Sequence, residues 1–353
     1  MSSHDLVVIL GAGASIPAGL PSTKEVTDRI RQPGGPVIQL SSTAFATSQS
    51  DLQALGRTVP VINFLDSALR AVYSSVDFEL ILHALEQLEL FVASRAVGEI
   101  ADEFRPVLTA FAGLDRRYAQ ALGDEIVVRR TREWMIREVF NFVGMRRNGN
   151  GSSDHVTARH SVQGLIASLA SQFRLVVIDL NYDDIMDEIP TTWFDGFVRV
   201  VEDHEPCKLF DVSAWLAEER RASAHLLLHL HGSIRFGYAP SDVTAQLSQF
   251  SEPARYDDYL RASGTLRGRS ASSTLADGGV HDAFPIISGA QKAAKMIFNP
   301  RPYGYYYRTA MSALIDCPNL LVVGYGGRGR SATTSIAKHP RGHGEPGRSP
   351  GGK

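Results

Sequence analysis

Four short apolar runs punctuate the chain, and each ends in a turn of small or polar residues. Leu6–Leu10 runs into Gly11-Ala12-Gly13-Ala14-Ser15, and Leu175–Ile178 runs into Asn181-Tyr182-Asp183-Asp184. Leu226–Leu228 runs into His229-Leu230-His231-Gly232-Ser233, and Leu320–Val323 into Gly324-Tyr325-Gly326. Unbroken apolar runs of this length suit parallel strands covered on both faces. The later chain alternates: strands are expected at about 174–180, 226–231, 285–288 and 319–324, and helices at about 155–171, 212–222 and 303–315. Alternation of this kind predicts an α/β fold with a Rossmann-like parallel sheet. Ligands of such sheets lie beyond the carboxyl ends of the strands, so the four turns should meet at one cleft.

A different pattern fills the first half. Ser22 and Glu25 have the spacing of a capping box, which starts a helix carrying Val26 and Ile30 inward. Residues 31–60, rich in Pro, Gly, Ser and Thr, read as a loop. Residues 61–147 read as almost wholly helical. Phe78, Ile81, Leu82, Leu85, Leu88 and Val92 recur at three- and four-residue steps behind Asp77 as N-cap, and Arg116–Val143 gives a second long stretch. The chain thus divides into an α/β core, 1–60 with 148–326, and a large helical insertion, 61–147, expected over the carboxyl end of the sheet. Arg147–Asp154 reads as a linker and 264–280 as a mobile Gly/Ser-rich segment. Residues 327–353 are rich in glycine and proline without apolar periodicity, and read as a disordered tail.

Composition narrows the function. Across 353 residues the net charge is −2, with both signs spread along the chain. That argues against a nucleic-acid footprint or a membrane-surface patch. No run approaches the ~18 apolar residues of a membrane span, and no signal peptide is legible. The two cysteines, Cys207 and Cys317, build neither a disulfide framework nor a four-cysteine zinc site, which fits a reducing cytoplasm.

Each motif has a plain and a functional reading. A glycine loop between strand and helix lets backbone N–H groups approach a phosphate, or is merely a tight turn. The dehydrogenase fingerprint wants a third glycine where Ile16 stands, and an acid about twenty positions on, where the chain has Gln32-Pro33-Gly34-Gly35. Hydride transfer is therefore poorly supported. Asn181 ends a strand, and Asp183 or Asp184 could simply start a short helix holding Ile185 and Met186. His229 and His231 share a strand face, as core histidines or as weak metal ligands without a recognisable third. Gly324-Tyr325-Gly326 could be only a turn. The order of all four at successive strand ends favours function.

In that order the motifs resemble the sirtuin-like superfamily: Gly11–Ser15 followed by Pro17 and Pro21, then Asn181–Asp183, then His231-Gly232, then Gly324–Gly326. The sub-patterns Asn-Tyr-Asp-Asp, Leu-His-Gly-Ser and Val-Val-Gly-Tyr-Gly, with Asp77-Phe78-Glu79 opening a helix, are closest to bacterial sirtuin-like NAD hydrolases of anti-phage defence. The resemblance implies NAD as substrate, no metal, and cleavage of the nicotinamide–ribose bond. It implies Asn181 and His231 as catalytic residues. It also implies Gly11, Ala12, Gly13, Ala14, Ser15, Pro21, Asp183, Gly324, Tyr325 and Gly326 as NAD-binding. Self-association and a phage-derived activator or partner effector protein come with it. The alternatives are a protein deacylase or ADP-ribosyltransferase using the same site, disfavoured by the missing zinc ribbon, and an inactive nucleotide sensor or scaffold. The family continues past the last loop with an acid and a helix. Here Gly327-Arg328-Gly329-Arg330 departs from that pattern, as a truncated or frame-shifted end would.

Overall fold

The computed structural model describes residues 5–31, 49–97, 125–148, 152–189, 191–201, 206–238, 253–265 and 300–325, with short pieces at 272–274, 280–282, 286–287, 292, 296 and 336–338. Its centre is a six-stranded sheet in which, from one edge to the other, Ile336–Lys338, Asn319–Val323, Asp5–Leu10, Arg174–Asp179, His225–His229 and Trp193–Phe194 lie side by side. These strands are β1 (Asp5–Leu10), β2 (Arg174–Asp179), β3 (Trp193–Phe194), β6 (His225–His229), β11 (Asn319–Val323) and β12 (Ile336–Lys338). Five run parallel; β12 pairs antiparallel along β11. The register sets Val7 beside Val176 and Leu320, and Ile178 beside Leu228.

The apolar runs of β1, β2 and β6 are buried on both sides, as their lack of alternation requires, while in the β11 run only Leu321 is fully buried. Val8, Leu175, Val177 and Leu227 face Ile166 of the helix Ser153–Ala170. Val7, Val176, Ile178, Leu226 and Leu228 face Trp215, Tyr306, Ala310 and Ala313. Trp215 stands on the helix Val212–Arg221, started by Asp211, whose carboxylate accepts the Ala214 N–H at 2.9 Å. The other three stand on the helix Tyr305–Asp316. The fold is therefore a layered α/β architecture compatible with a Rossmann-like sheet.

The helices of the first half form a further layer. The capping box is present: the Ser22 N–H donates to Glu25 at 2.8 Å and the Glu25 N–H to the Ser22 hydroxyl at 3.2 Å, opening the helix Thr23–Arg31. Asp77 caps Phe78–Val97 through the Leu80 N–H at 2.9 Å. These helices, with Gln49–Arg70 and Glu125–Asn148, share one core with Ala18, Leu20, Ile185 and Ile234. All four of those residues follow strand carboxyl ends.

Three expectations differ. The loop expected to residue 60 gives way to a helix from Gln49, carrying Pro60 inside it. The strand expected at 285–288 is, among the described residues, a single antiparallel bridge between Gly232 and Ile286. In the segment expected to be mobile, 264–280, the described residues Ser272–Thr274 pair with Val280–Asp282 just at and beyond its end, and 266–271 and 275–279 lie outside the described residues. A second, antiparallel sheet was not expected: β4 (Phe197–Val201), β5 (Cys207–Phe210), β8 (Pro253–Tyr256) and β7 (Phe236–Tyr238), in the order β4-β5-β8-β7. Gly326, the linker's centre and the tail apart from 336–338 lie outside the described residues.

Candidate functional site

The chain builds outward from β1 through β2 to β6, then returns to place β11 on β1's other side. The order reverses between β1 and β11, where a doubly wound sheet offers its ligand crevice. The turns at those two carboxyl ends are the Gly11 and Gly324 loops. They interlock. The Gly11 N–H donates to the Val323 carbonyl at 2.9 Å, and the Gly13 N–H to the Gly324 carbonyl at 2.8 Å. A Cβ on Gly324 would stand 2.0 Å from the Ala14 nitrogen, and its φ of +67° is left-handed. Cβ atoms on Gly11 or Gly13 would meet the Gly324 carbonyl at 2.8 Å. The glycines therefore serve backbone-to-backbone docking, and two N–H groups expected for a phosphate are engaged inside the protein. Ala12 and Gly13 stay exposed, Ala14 and Ser15 are buried, and Tyr325 is exposed. Pro21 is half-buried ahead of the capping box.

Asn181 is next to this loop. Its side-chain amide donates to the Gly11 carbonyl at 3.2 Å, and its backbone N–H donates to Asp179 Oδ1 at 3.0 Å. Asp183 is buried and accepts the Ile185 N–H at 3.0 Å and a bond from Ser15. It therefore braces the turn and fastens it to the glycine loop; the short helix expected to start at Asp183 or Asp184 is Met186–Glu188, with Ile185 at its N-cap and no side-chain cap. Burial raises its pKa. A cavity of about 10 Å³ lies beneath, lined by Ser15, Asp179, Asn181 and Asp183 among others. That is room for about one water, so a nucleotide would have to lie outside it.

His231 comes from the next strand end. Its Nδ1 is 2.8 Å from the Leu180 carbonyl, which can only accept. Nδ1 therefore carries the proton and Nε2 the acceptor lone pair, an assignment made from this bond. Burial, with the Lys292 charge second, lowers its pKa from 6.5 to about 3. Tyr182 lies beside it, ring centres 6.3 Å apart. The Tyr182 hydroxyl is 3.2 Å from Glu79, which pairs with Lys292 at 2.6 Å. Glu79, in the first turn of Phe78–Val97, thus brings the helical layer to the carboxyl end of β2. Asn181 and His231 are tied to adjacent points of one turn: the His231 ring holds the carbonyl of the residue preceding Asn181.

The sequence reading missed a buried charge cluster behind this turn. His229 is fully buried, with Nε2 3.3 Å from Asp187 and Nδ1 3.6 Å from Asp179. Arg255 of β8 pairs with Asp187 at 2.7 Å and, more closely, with Asp195. Burial and then the Asp183 charge push Asp179 up to about 8. Burial would raise Asp187 too, but His229 and Arg255 hold it at about 2. Burial opposes charge on His229, yet Asp187 and Asp179 raise its pKa overall. The negative charge concentrates on Asp187. One signal was legible: Asp179, Asp183 and Asp187 recur every four residues. Nothing local marked Arg255 as their partner. The His229–His231 metal reading gains no support: among the described residues no group of three or more His, Cys, Asp or Glu could hold a metal ion.

The fold and the site thus define a layered α/β protein with polar residues at the carboxyl ends of neighbouring parallel strands. No family model matches the chain, and neither does any curated protein. No described helix is long and apolar enough to cross a membrane.

Proposed function

We propose that the chain is a sirtuin-like NAD⁺ glycohydrolase, with the helices of 61–147 as an insertion over its cleft. The observation that carries this reading is the fastening of Asn181 to Gly11 and of His231 to Leu180 at neighbouring strand ends. It gives one amide and one neutral imidazole base beside the glycine loop. Cleavage passes through an oxocarbenium-like state. The C1′–N bond breaks, its electron pair goes to the nicotinamide nitrogen, and water adds at C1′ while its proton passes to His231 Nε2. Asn181 holds the ribose hydroxyls or that water, since an amide both donates and accepts. The pyrophosphate lies over exposed Ala12 and Gly13. The adenosine half lies toward Gly324 and Tyr325. Cytoplasmic action in anti-phage defence, self-association and a phage-derived trigger or partner effector belong to the same reading.

Incubation of the purified protein with NAD, with nicotinamide and ADP-ribose measured, tests it. Asn181→Ala and His231→Ala should each remove turnover without unfolding, the histidine by about 10²–10⁴-fold as expected for a lost general base. Near-normal turnover by His231→Ala would sink the assignment. One observation favours a second reading, a nucleotide sensor or scaffold without turnover: the Gly13 N–H is already bonded to Gly324. ADP-ribose binding without NAD loss would support that reading. A deacylase or ADP-ribosyltransferase would instead need an acceptor to be modified in the same assay.

A further inference from the structure

The cluster around His229 has no part in the chemistry above, yet one of its members touches the turn that does. Asp179 is the last residue of β2, and 1% of it is exposed. Its Oδ1 accepts the Asn181 N–H at 3.0 Å, while Oδ2 faces His229 Nδ1 at 3.6 Å. It lines the same small cavity as the Asn181 side chain. Behind it, His229 stands against Asp187, which Arg255 ties to Asp195. The carboxyl group that fixes the Asn181 turn is thus backed by side chains from β6, from the short helix Met186–Glu188 and from the second sheet.

A buried ionic cluster is a poor way to gain stability. Desolvation offsets most of the attraction, and apolar residues of similar volume often do as well or better. A cluster can, however, fix a direction that apolar packing leaves loose. An Asn181 displaced by about 1 Å would cost on the order of 10²-fold in a reaction that depends on its placement.

We propose that Asp179, packed against His229, is a positioning residue that sets the Asn181 turn. The consequence for turnover rests on the NAD reading above; the geometric claim does not. Asn181 takes its backbone angle from Asp179 and its side-chain anchor from Gly11, so both ends of the residue are fixed before a ligand arrives.

Two measurements on the full chain separate these claims. The first is amide hydrogen exchange at Asn181, read by NMR. Asp179→Ala should speed exchange there about tenfold or more, while the Leu180 and Leu230 amides, bonded to the backbone carbonyls of Leu10 and Asp179, keep their protection. Asp179→Asn retains an acceptor and should restore protection. If the space left by alanine unfolds the protein, Asp179→Val fills it and removes the acceptor equally. The second measurement is NAD turnover. The alanine or valine variant should lose about 10–100-fold in kcat with KM within about twofold, and the asparagine variant should recover it. Three results would overturn the proposal: unchanged Asn181 exchange, equal loss of protection along β2 and β6, or faster Asn181 exchange with kcat intact. A wild-type protein that leaves NAD untouched defeats the hydrolase reading instead, and the exchange measurement alone then decides whether Asp179 sets the turn.

Discussion

His229 and His231 stand two residues apart, and their surroundings drive them in opposite directions. His231 is buried with the Lys292 charge near it, and its pKa falls to about 3 although the Leu180 carbonyl favours the protonated ring. His229 meets two aspartates, and its pKa rises. Strand periodicity put both on one face, and only the resemblance through His231-Gly232 singled out His231; the surroundings of each depend on residues about fifty positions away. A pH profile follows. His231 stays neutral through the neutral range, so kcat/KM should show no acid limb near the ordinary histidine value of about 6.5. An NMR titration with a His231 midpoint near that value would contradict the assignment.

The linkage signs follow from the same residues. A depressed folded pKa means that the His231 contribution to stability is present above about 6.5 and is lost as pH falls toward 3. His229 and Asp179 are raised, so their contributions are lost as pH rises toward the folded values, about 8 for Asp179. The groups facing them are Asp183, Asp187, Asp195 and Arg255. The urea midpoint should therefore drop between about pH 6.5 and 8. A midpoint that climbs over that range would contradict it.

Between elements, the β1–β11 junction carries the plainest demand on sequence. The two glycine loops were legible as motifs, but the use of their N–H groups was not. A strand-to-helix glycine loop reads alike whether its donors face a ligand or a neighbouring carbonyl. Gly324→Ala tests the packing. The left-handed conformation alone costs about 1–2 kcal/mol for a residue with a Cβ, and the contact with Ala14 adds to it. Denaturation should show a loss at least that large; a variant as stable as the parent would mean that the loops do not dock. The second sheet escaped notice for another reason. Its strands span three to five residues, scattered between 197 and 256, too short for a period to register. The helix from Gln49 was hidden by a Pro- and Ser-rich composition upstream, although Pro60 itself sits inside it.

Across the molecule, Arg255 joins the two sheets. It stands on β8 and neutralises Asp187, beyond the end of β2, and Asp195, between β3 and β4. Arg255→Met would leave Asp195 buried without its ion-pair partner and Asp187 with His229 as its nearest cation; breaking a buried pair costs about 3–5 kcal/mol in comparable cases. The expected result is a large drop in the urea midpoint with both sheets loosening together. A small change would mean that solvent already reaches the pair. The helical layer is joined differently, through the apolar core it shares with Ala18, Leu20, Ile185 and Ile234, and through Glu79 at Tyr182.

By itself the sequence determined the parallel sheet. Runs such as Leu175–Ile178 carry no polar face, so they must be covered on both sides, and Ile166 and Tyr306 lie in the cores on opposite sides. It also determined the local caps, because Ser22 with Glu25 and Asp77 with the Leu80 N–H act within one helical turn. Only the tertiary structure decided which polar groups meet. The bond from Asn181 to Gly11 spans 170 positions, and the contact of Arg255 with Asp187 spans 68. Such pairings are set by strand order and by the packing of the second sheet, and no periodicity along the chain encodes them.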